Sequence, residues 1–321
     1  MILVTGADGF VGSTLVEMLC ANRTRVRVVV RRRNKSFPSC VEIAECPDIS
    51  NAVDWRIPLS GVDVVVHTAA RVHVMHDKTT DPLHEFRRVN VEATENLAKQ
   101  AVAHGVRRFV FLSSVKVNGE KTTLGKPFNA SDKPNPQDPY AVSKMEAEQR
   151  LLEIASKSNL EVVCIRPTLV YGPGVRANFL RLLSWIHAQI PLPLKSIRNT
   201  RSLVSIWNLC DLIRAVIESP MISSGVLMVS DGVDLSTPEL IRRLAHAMGK
   251  TPQLLPVPLS FLRLAGKVMG KSAEVARLCG SLTVDIADTK QQLNWIPPLS
   301  VDEGLERTVR WYLNEVNRSV V

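Results

Sequence analysis

The sequence predicts an α/β fold built on a doubly wound parallel sheet. Short runs rich in Val, Ile and Phe alternate with helical patterns through the first half of the chain. Those runs are continuously apolar instead of alternating with polar residues, the signature of strands buried on both faces. A glycine-rich turn also stands at the start, between the first such run and the first helical stretch, where doubly wound sheets place a phosphate-binding loop.

The strand-like runs fall at residues 2–4, 26–30, 62–67, 109–112 and 162–165. Between them, residues 13–21, 82–104 and 140–158 read as helices. Right-handed crossovers between such strands put helices on both faces and ligands at the strands' carboxyl ends. After Ile165 the texture changes, with Pro and Gly punctuating the chain at Pro167, Gly172, Gly174, Pro191, Pro193 and Pro220. Short helical patterns follow at 238–248 and 301–315. The expected organisation is a cofactor-binding domain over 1–166, rejoined by part of about 200–230, and a smaller interleaved region over 167–321 that binds substrate.

Composition narrows the function classes. The chain has 321 residues, 45% hydrophobic and 22% charged, which excludes a disordered, collagen-like or disulfide-scaffold protein. Its net charge of +9 calls for an anionic partner: a nucleic acid, a membrane surface or a phosphorylated small molecule. No helix-turn-helix, zinc module or aromatic RNA-binding signature supports the nucleic acid. The cysteines Cys20, Cys40, Cys46, Cys164, Cys210 and Cys279 form no CxxC pair and no zinc spacing, so no metal is expected. No leader pattern and no uncharged apolar run of about 18 residues is found. A cytoplasmic protein without stable membrane insertion is the expectation. Residues 254–269 are apolar with two charges and are expected to pack on their own domain instead of lying on a membrane.

The turn reads Thr5-Gly6-Ala7-Asp8-Gly9-Phe10-Val11-Gly12. Glycines there let backbone N–H groups approach a diphosphate at a helix N-terminus, and this context predicts a dinucleotide cofactor. The second strand run is followed by Arg31-Arg32-Arg33, with no carboxylate to take a ribose 2′-hydroxyl. Guanidinium groups pair a 2′-phosphate bidentately, so NADP(H) is favoured and NAD(H) is the alternative.

Tyr140-Ala141-Val142-Ser143-Lys144 opens a helix after a Pro-rich loop. Positions i and i+4 share a helix face, so Lys144 is expected to lower the Tyr140 pKa and let the phenol exchange a proton with an alcohol near neutral pH. Ser114 closes the run at 109–112 and is placed to hydrogen-bond the same oxygen.

These motifs together resemble the extended short-chain dehydrogenases/reductases, the nucleotide-sugar epimerases, dehydratases and reductases, along the whole chain. Thr5–Gly12 is similar to the family's TGxxGxxG, with Gly6, Gly9, Phe10, Val11 and Gly12 on the cofactor. Ser114 is similar to the catalytic serine, and Tyr140 with Lys144 to YxxxK, whose lysine also holds the cofactor ribose. The resemblance places Arg31 and Arg32 at the adenosine ribose, Asp48-Ile49 at adenine, Ala69-Ala70 along the cofactor, and Asn90 behind the active-site backbone. Pro167 belongs to an RPxxVYGP-like turn leading into the substrate half. Arg201 resembles the arginine that holds a sugar-nucleotide diphosphate; Asn178 and Arg277 complete the candidate substrate contacts. The resemblance also implies a Rossmann sheet and a homodimer through the helices at 82–104 and 140–158.

The departures bear on chemistry. Val117-Asn118-Gly119 replaces the usual VYG, and Asn208 stands where an acid is common. Val115-Lys116 follows Ser114 where a dehydratase carries an acid/base pair, which argues against 4,6-dehydration. Leu282 occupies a place where UDP-glucose 4-epimerases carry a bulky aromatic, which leaves room for an N-acetyl group. The resemblance implies hydride transfer at C4 of a nucleotide-linked hexose. The arginine cluster tips the reading to a reductase acting on a UDP-linked 4-keto(-2-acetamido)-6-deoxyhexose for surface polysaccharide. A 4-epimerase retaining NAD is the alternative. A non-catalytic, cofactor-sensing regulator is the remote one, disfavoured because Tyr140 and Lys144 are both present. Among the histidines, His67 reads as a core residue and His73 and His76 as surface.

Overall fold

Strand β1 (Ile2–Thr5) shows why the apolar runs are continuous: Ile2 and Val4 point into one core and Leu3 into the other. The computed structural model describes residues 1–32, 36–46, 48–50, 53–72, 81–220 and 222–318. Arg33, His73 and His76 lie outside them. After β1 come α1 (Phe10–Ala21), β2 (Val26–Val30), β3 (Val41–Glu45), α2 (Arg56–Leu59) and β4 (Val64–His67). A long helix follows as α3 (Pro82–Arg87), a π turn (Arg88–Glu92) and α4 (Ala93–Ala103). Then come β5 (Arg108–Leu112), a 3-10 turn (Val115–Val117), α5 (Pro139–Ser156), β6 (Glu161–Pro167), β7 (Leu169–Tyr171), α6 (Ala177–His187), β8 (Leu203–Ser205), α7 (Ile206–Glu218) and β9 (Gly225–Val229). The chain continues through α8 (Thr237–Ala247), α9 (Leu259–Val268), α10 (Ser272–Cys279), α11 (Ala287–Leu293) and α12 (Val301–Arg318).

The sheet has seven strands in the order β3-β2-β1-β4-β5-β6-β9, with every neighbouring pair parallel. This is the doubly wound Rossmann architecture. On one face Val4, Val28 and Val66 pack against Leu15 and Leu19 of α1 and Leu209 and Ile213 of α7. On the other, Leu3, Val65, Phe109 and Phe111 pack against Leu97 and Ala101 of α4 and Ala147 and Leu151 of α5. Burial on both faces supplies the hydrophobic drive that holds the strand ends in place.

A third cluster joins α6, α8 and α12 through Phe179, Leu183, Ile241, Leu244, Leu305 and Val309. Strands β7 and β8 form a separate parallel pair beside it. The 254–269 stretch divides: Leu254, Leu259 and Leu262 pack on this third cluster, whereas Phe261, Leu264, Val268 and Met269 stay exposed.

Candidate active site

The carboxyl ends of β1 and β4 meet at the glycine turn. Gly6 adopts φ +70°, and a β-carbon there would lie 2.6 Å from the Ala69 nitrogen. At Gly12 a β-carbon would lie 2.2 Å from the Gly6 carbonyl oxygen. Only glycine permits both approaches. The Gly9 N–H donates to the Gly6 oxygen at 3.0 Å, and the Thr68 hydroxyl donates to the Thr5 oxygen at 2.7 Å, tying the β4 loop to the turn. Phe10 and Val11 pack their side chains on the first core, and the free N–H groups that open α1 remain as the polar offering. Ala69 and Ala70 are half-buried beside the turn. These features fit a dinucleotide's diphosphate: close backbone, no β-carbon in the way, and a helix N-terminus.

The adenosine side is open. Arg31 and Arg32 are exposed just beyond β2, and Asp48 and Ile49 follow β3. The Asp48 carboxylate accepts from the Ser50 hydroxyl and the Ser50 N–H, the latter at 2.9 Å, and Arg88 stands 3.7 Å away. These partners, the Ser50 hydrogen bonds foremost, hold its pKa below the usual range. Ile49 packs on the second core.

Asn90, in the π turn, ties two loops together. Its Oδ1 accepts from the Arg71 N–H at 2.8 Å, and its Nδ2 donates to the Arg71 oxygen at 3.0 Å and to the Ser143 hydroxyl at 2.9 Å. Ser143 in turn donates to the Tyr140 carbonyl at 2.8 Å. Asp138 caps α5 by accepting from the Ala141 N–H at 2.7 Å, with Pro139 at the first helical position. Lys116 donates to Asp138 at 2.5 Å, linking the segment after Ser114 to that cap. Ser114 itself accepts from the Lys116 N–H at 3.2 Å and caps the 3-10 turn. The structure thus fixes the Ser114 segment against the helix that carries Tyr140 and Lys144.

Lys144 is buried, donates to the Leu112 carbonyl at 2.8 Å and stands 4.4 Å from the centre of the Phe111 ring. It is 6.0 Å from the centre of the Tyr140 ring. Burial pushes its ammonium down to about 7, against the opposing pull of the Glu148 carboxylate. Tyr140 goes the other way: burial and the Asp138 carboxylate raise its phenol well above the usual value. This corrects the expectation that Lys144 lowers the Tyr140 pKa. The ammonium is turned to Leu112 and Phe111, and the desolvation of the phenol outweighs any attraction. Tyr140 is held as a protonated donor, and Lys144 is the group whose charge changes near neutrality.

Sequence reasoning missed a network beneath these residues. Glu148 lies four residues past Lys144, on the same face of α5. Its carboxylate accepts from the Ser113 hydroxyl and from Arg166, whose Nε lies 2.9 Å and Nη2 2.5 Å away. Arg166 also donates to Asn118 at 2.9 Å. The i, i+4, i+8 spacing of Tyr140, Lys144 and Glu148 was the available signal. Pro167, next to Arg166, ends β6 and is buried. His67 is a core residue: its nitrogens meet Thr5 at 2.7 Å and Thr94 at 2.9 Å, and burial, then Lys144, push it down to about 3.

On the substrate side, the Arg201 guanidinium donates to the Arg277 carbonyl at 2.8 Å and the Gly280 carbonyl at 3.1 Å. Burial lowers its pKa. The Arg277 side chain is exposed on α10, so the structure brings these two residues together through the Arg277 backbone. Asn178 stands exposed in the first turn of α6, on a separate element. Leu282 is buried with Val115 and Met228. No metal-binding cluster of His, Cys, Asp or Glu and no helix able to cross a membrane occurs among the described residues.

Residues 2–225 match the NAD dependent epimerase/dehydratase family. The chain belongs to that family. It is an NAD-dependent enzyme of the extended short-chain dehydrogenase/reductase type. It is 48% identical over 320 residues to a UDP-glucose 4-epimerase of Vibrio cholerae, covering 99% of this chain and 97% of that protein. The solved UDP-glucuronic acid 4-epimerase of Bacillus cereus, in complex with NAD, shares the fold with a TM-score of 0.79 at 22% identity, covering 98% of this chain and 99% of that one. MoeE5, solved with UDP-glucuronic acid and NAD, gives a TM-score of 0.78 at 26% identity, with coverage of 98% and 99%.

Proposed function

We propose that this family member epimerises a UDP-linked hexose at C4. The observation that carries the reading is 48% identity, end to end, with a protein named for that reaction, in a chain that holds Ser114, Tyr140 and Lys144 around one strand end. A bound nicotinamide cofactor supplies the hydride acceptor and donor. Ser114 orients the C4 oxygen by hydrogen bonding. Tyr140, protonated at rest, gives its proton to the C4 oxygen when the 4-keto sugar is reduced; the oxidative half-reaction needs the phenolate, which takes the C4 hydroxyl proton and so restores the phenol. Lys144, anchored at the Leu112 carbonyl beside the Phe111 ring, holds the cofactor ribose. Gly6, Gly9 and Gly12 admit the diphosphate of the cofactor, and Asn90 sets the α5 backbone behind Tyr140. Arg201, with Arg277 and Asn178, faces the diphosphate of the sugar nucleotide. The reading includes a cytosolic homodimer built on the long helix from α3 through the π turn to α4 and on α5, which pack side by side.

One observation favours a second reading. Arg31 and Arg32 are exposed beyond β2 and make no ion pair among the described residues, which leaves them free for a 2′-phosphate. That geometry suits a 4-keto reductase drawing on NADPH.

Incubating the purified enzyme with UDP-glucose and, separately, with UDP-N-acetylglucosamine separates the two. Epimerisation predicts the galacto product by NMR without net consumption of cofactor. NADPH consumed stoichiometrically with a UDP-4-keto sugar, and no gluco/galacto interconversion, rejects it for the reductase. Tyr140→Phe should lower kcat by about 10²–10⁴-fold, the usual contribution of a positioned acid/base, while NAD still binds.

A further inference from the structure

Helices α9 and α10 form a tight hairpin: a β-carbon at Gly266 would lie 2.6 Å from the Val275 side chain, and Gly270 turns the chain with φ +67°. One stripe of α9, Leu259 and Leu262, packs on the third core. The opposite stripe does not. Phe261 is 64% exposed, Leu264 59%, Val268 80% and the adjoining Met269 62%. Spacings of three and four put Phe261, Leu264 and Val268 on one helix face. This is the densest run of exposed large apolar side chains among the described residues.

The charges beside the stripe have one sign. Arg263 and Lys267, four residues apart, run along its flank, and Lys271 follows at the turn; all three are exposed. None makes an ion pair among the described residues. Glu274 is the single acid between Leu259 and Cys279. An apolar stripe edged by free cations is the pattern of a helix lying in the headgroup region of an anionic bilayer. A two-fold contact with a second copy would set the same cations against each other.

We propose that the α9–α10 hairpin docks the enzyme peripherally on an anionic lipid bilayer. Phe261, Leu264, Val268 and Met269 enter the headgroup–acyl boundary, and Arg263, Lys267 and Lys271 meet lipid phosphates. The same hairpin carries the carbonyl that holds Arg201, so docking brings the rim of the candidate substrate site to the membrane surface. No side chain assigned above to cofactor or catalysis is consumed by the contact.

The test is flotation of the full chain with vesicles of phosphatidylethanolamine and phosphatidylglycerol, and with vesicles of phosphatidylcholine alone. The protein should float with the anionic vesicles, less as salt rises, and stay behind with phosphatidylcholine. Phe261→Glu/Leu264→Glu and, separately, Lys267→Glu/Lys271→Glu should each weaken the anionic binding about tenfold or more, since each lysine or arginine near such a surface contributes comparably to an apolar anchor. The substitutions touch exposed side chains, and two independent pairs guard against one of them disturbing the fold. A wild-type protein that ignores the anionic vesicles, or variants that bind as it does, would overturn the proposal. So would light scattering showing a dimer that Phe261→Glu/Leu264→Glu dissociates. The readout involves no turnover, so it stands or falls apart from the epimerase reading.

Discussion

Glu148 gives the sharpest test of how the site is held. The Glu148 and Arg166 side chains are each 4% exposed. Glu148→Ala would leave a buried guanidinium with the Asn118 oxygen as its remaining side-chain partner, and would free the Ser113 hydroxyl. Removing one partner of a buried pair costs about 3–5 kcal/mol, because the other charge stays desolvated. For a chain larger than 250 residues each kcal/mol lowers Tm by about 2 °C, so a fall of about 6–10 °C is expected. Differential scanning calorimetry and urea unfolding measure it. A double variant, Glu148→Leu with Arg166→Met, removes both charges and should recover most of the loss, since apolar replacement of a whole buried pair is close to neutral. The reasoning is refuted if Glu148→Ala stays within about 1 kcal/mol of the parent, or if the double variant is no better than the single one.

Two further outcomes follow from the same geometry. At Gly12 the intruding β-carbon would meet backbone, which cannot swing away, so Gly12→Ala should weaken NAD binding about tenfold or more, from about 1–3 kcal/mol of overpacking; calorimetric titration with an unchanged Kd would contradict it. Lys144 has a folded pKa of about 7 against 10.5 for the free side chain. Between those values the unfolded chain carries a proton that the folded one does not, so stability rises with pH across that window, by up to about 1.4 kcal/mol per unit, and levels off below it. Urea unfolding from neutral to alkaline pH should show this slope in the parent and not in Lys144→Met; parallel profiles would remove the basis for a depressed lysine.

What the sequence made legible follows from what is local. Val26–Val30 and Val64–His67 read as strands because both of their faces are buried, and the glycine turn because its strand and helix adjoin it. Tyr140 and Lys144 share a helix face by spacing alone. β3 was missed for the complementary reason: it is an edge strand, VEIAE, with acids at Glu42 and Glu45 and only partial burial. β9 was missed as a strand of its own because GVLMV is too short for periodicity to separate strand from helix; its place beside β6 is a pairing over 62 residues. Arg201 was readable as a residue, but its carbonyl partners at Arg277 and Gly280 lie 76 and 79 residues away. The pKa direction of Tyr140 needed burial, which no spacing reports.

The tethers around the site converge on one element. Asn90 reaches α5 through Ser143, Lys116 through Asp138, and Ser113 through Glu148. Asn90 brings in the Arg71 segment after β4, Ser113 and Lys116 both belong to the segment after β5, and Glu148 also holds Arg166 of β6, so the helix that carries Tyr140 and Lys144 is set against three neighbouring strands at once. That arrangement explains why the network under the site is polar in an otherwise apolar layer: hydrogen bonds specify an angle and a register, whereas apolar contacts alone let a helix slide along the sheet. The net charge of +9 is unevenly paired over the fold. Arginines in the body of the fold, such as Arg27, Arg87, Arg108, Arg166 and Arg214, are matched by carboxylates. Among the described residues the cations with no such ion pair include Arg31 and Arg32 beside the cofactor end and Arg263, Lys267 and Lys271 on the α9–α10 hairpin, along with others such as Lys121, Lys126, Arg176 and Arg181 elsewhere on the surface. The cofactor end and the hairpin are thus two of the places where the basic excess stands unpaired and an anion can meet it.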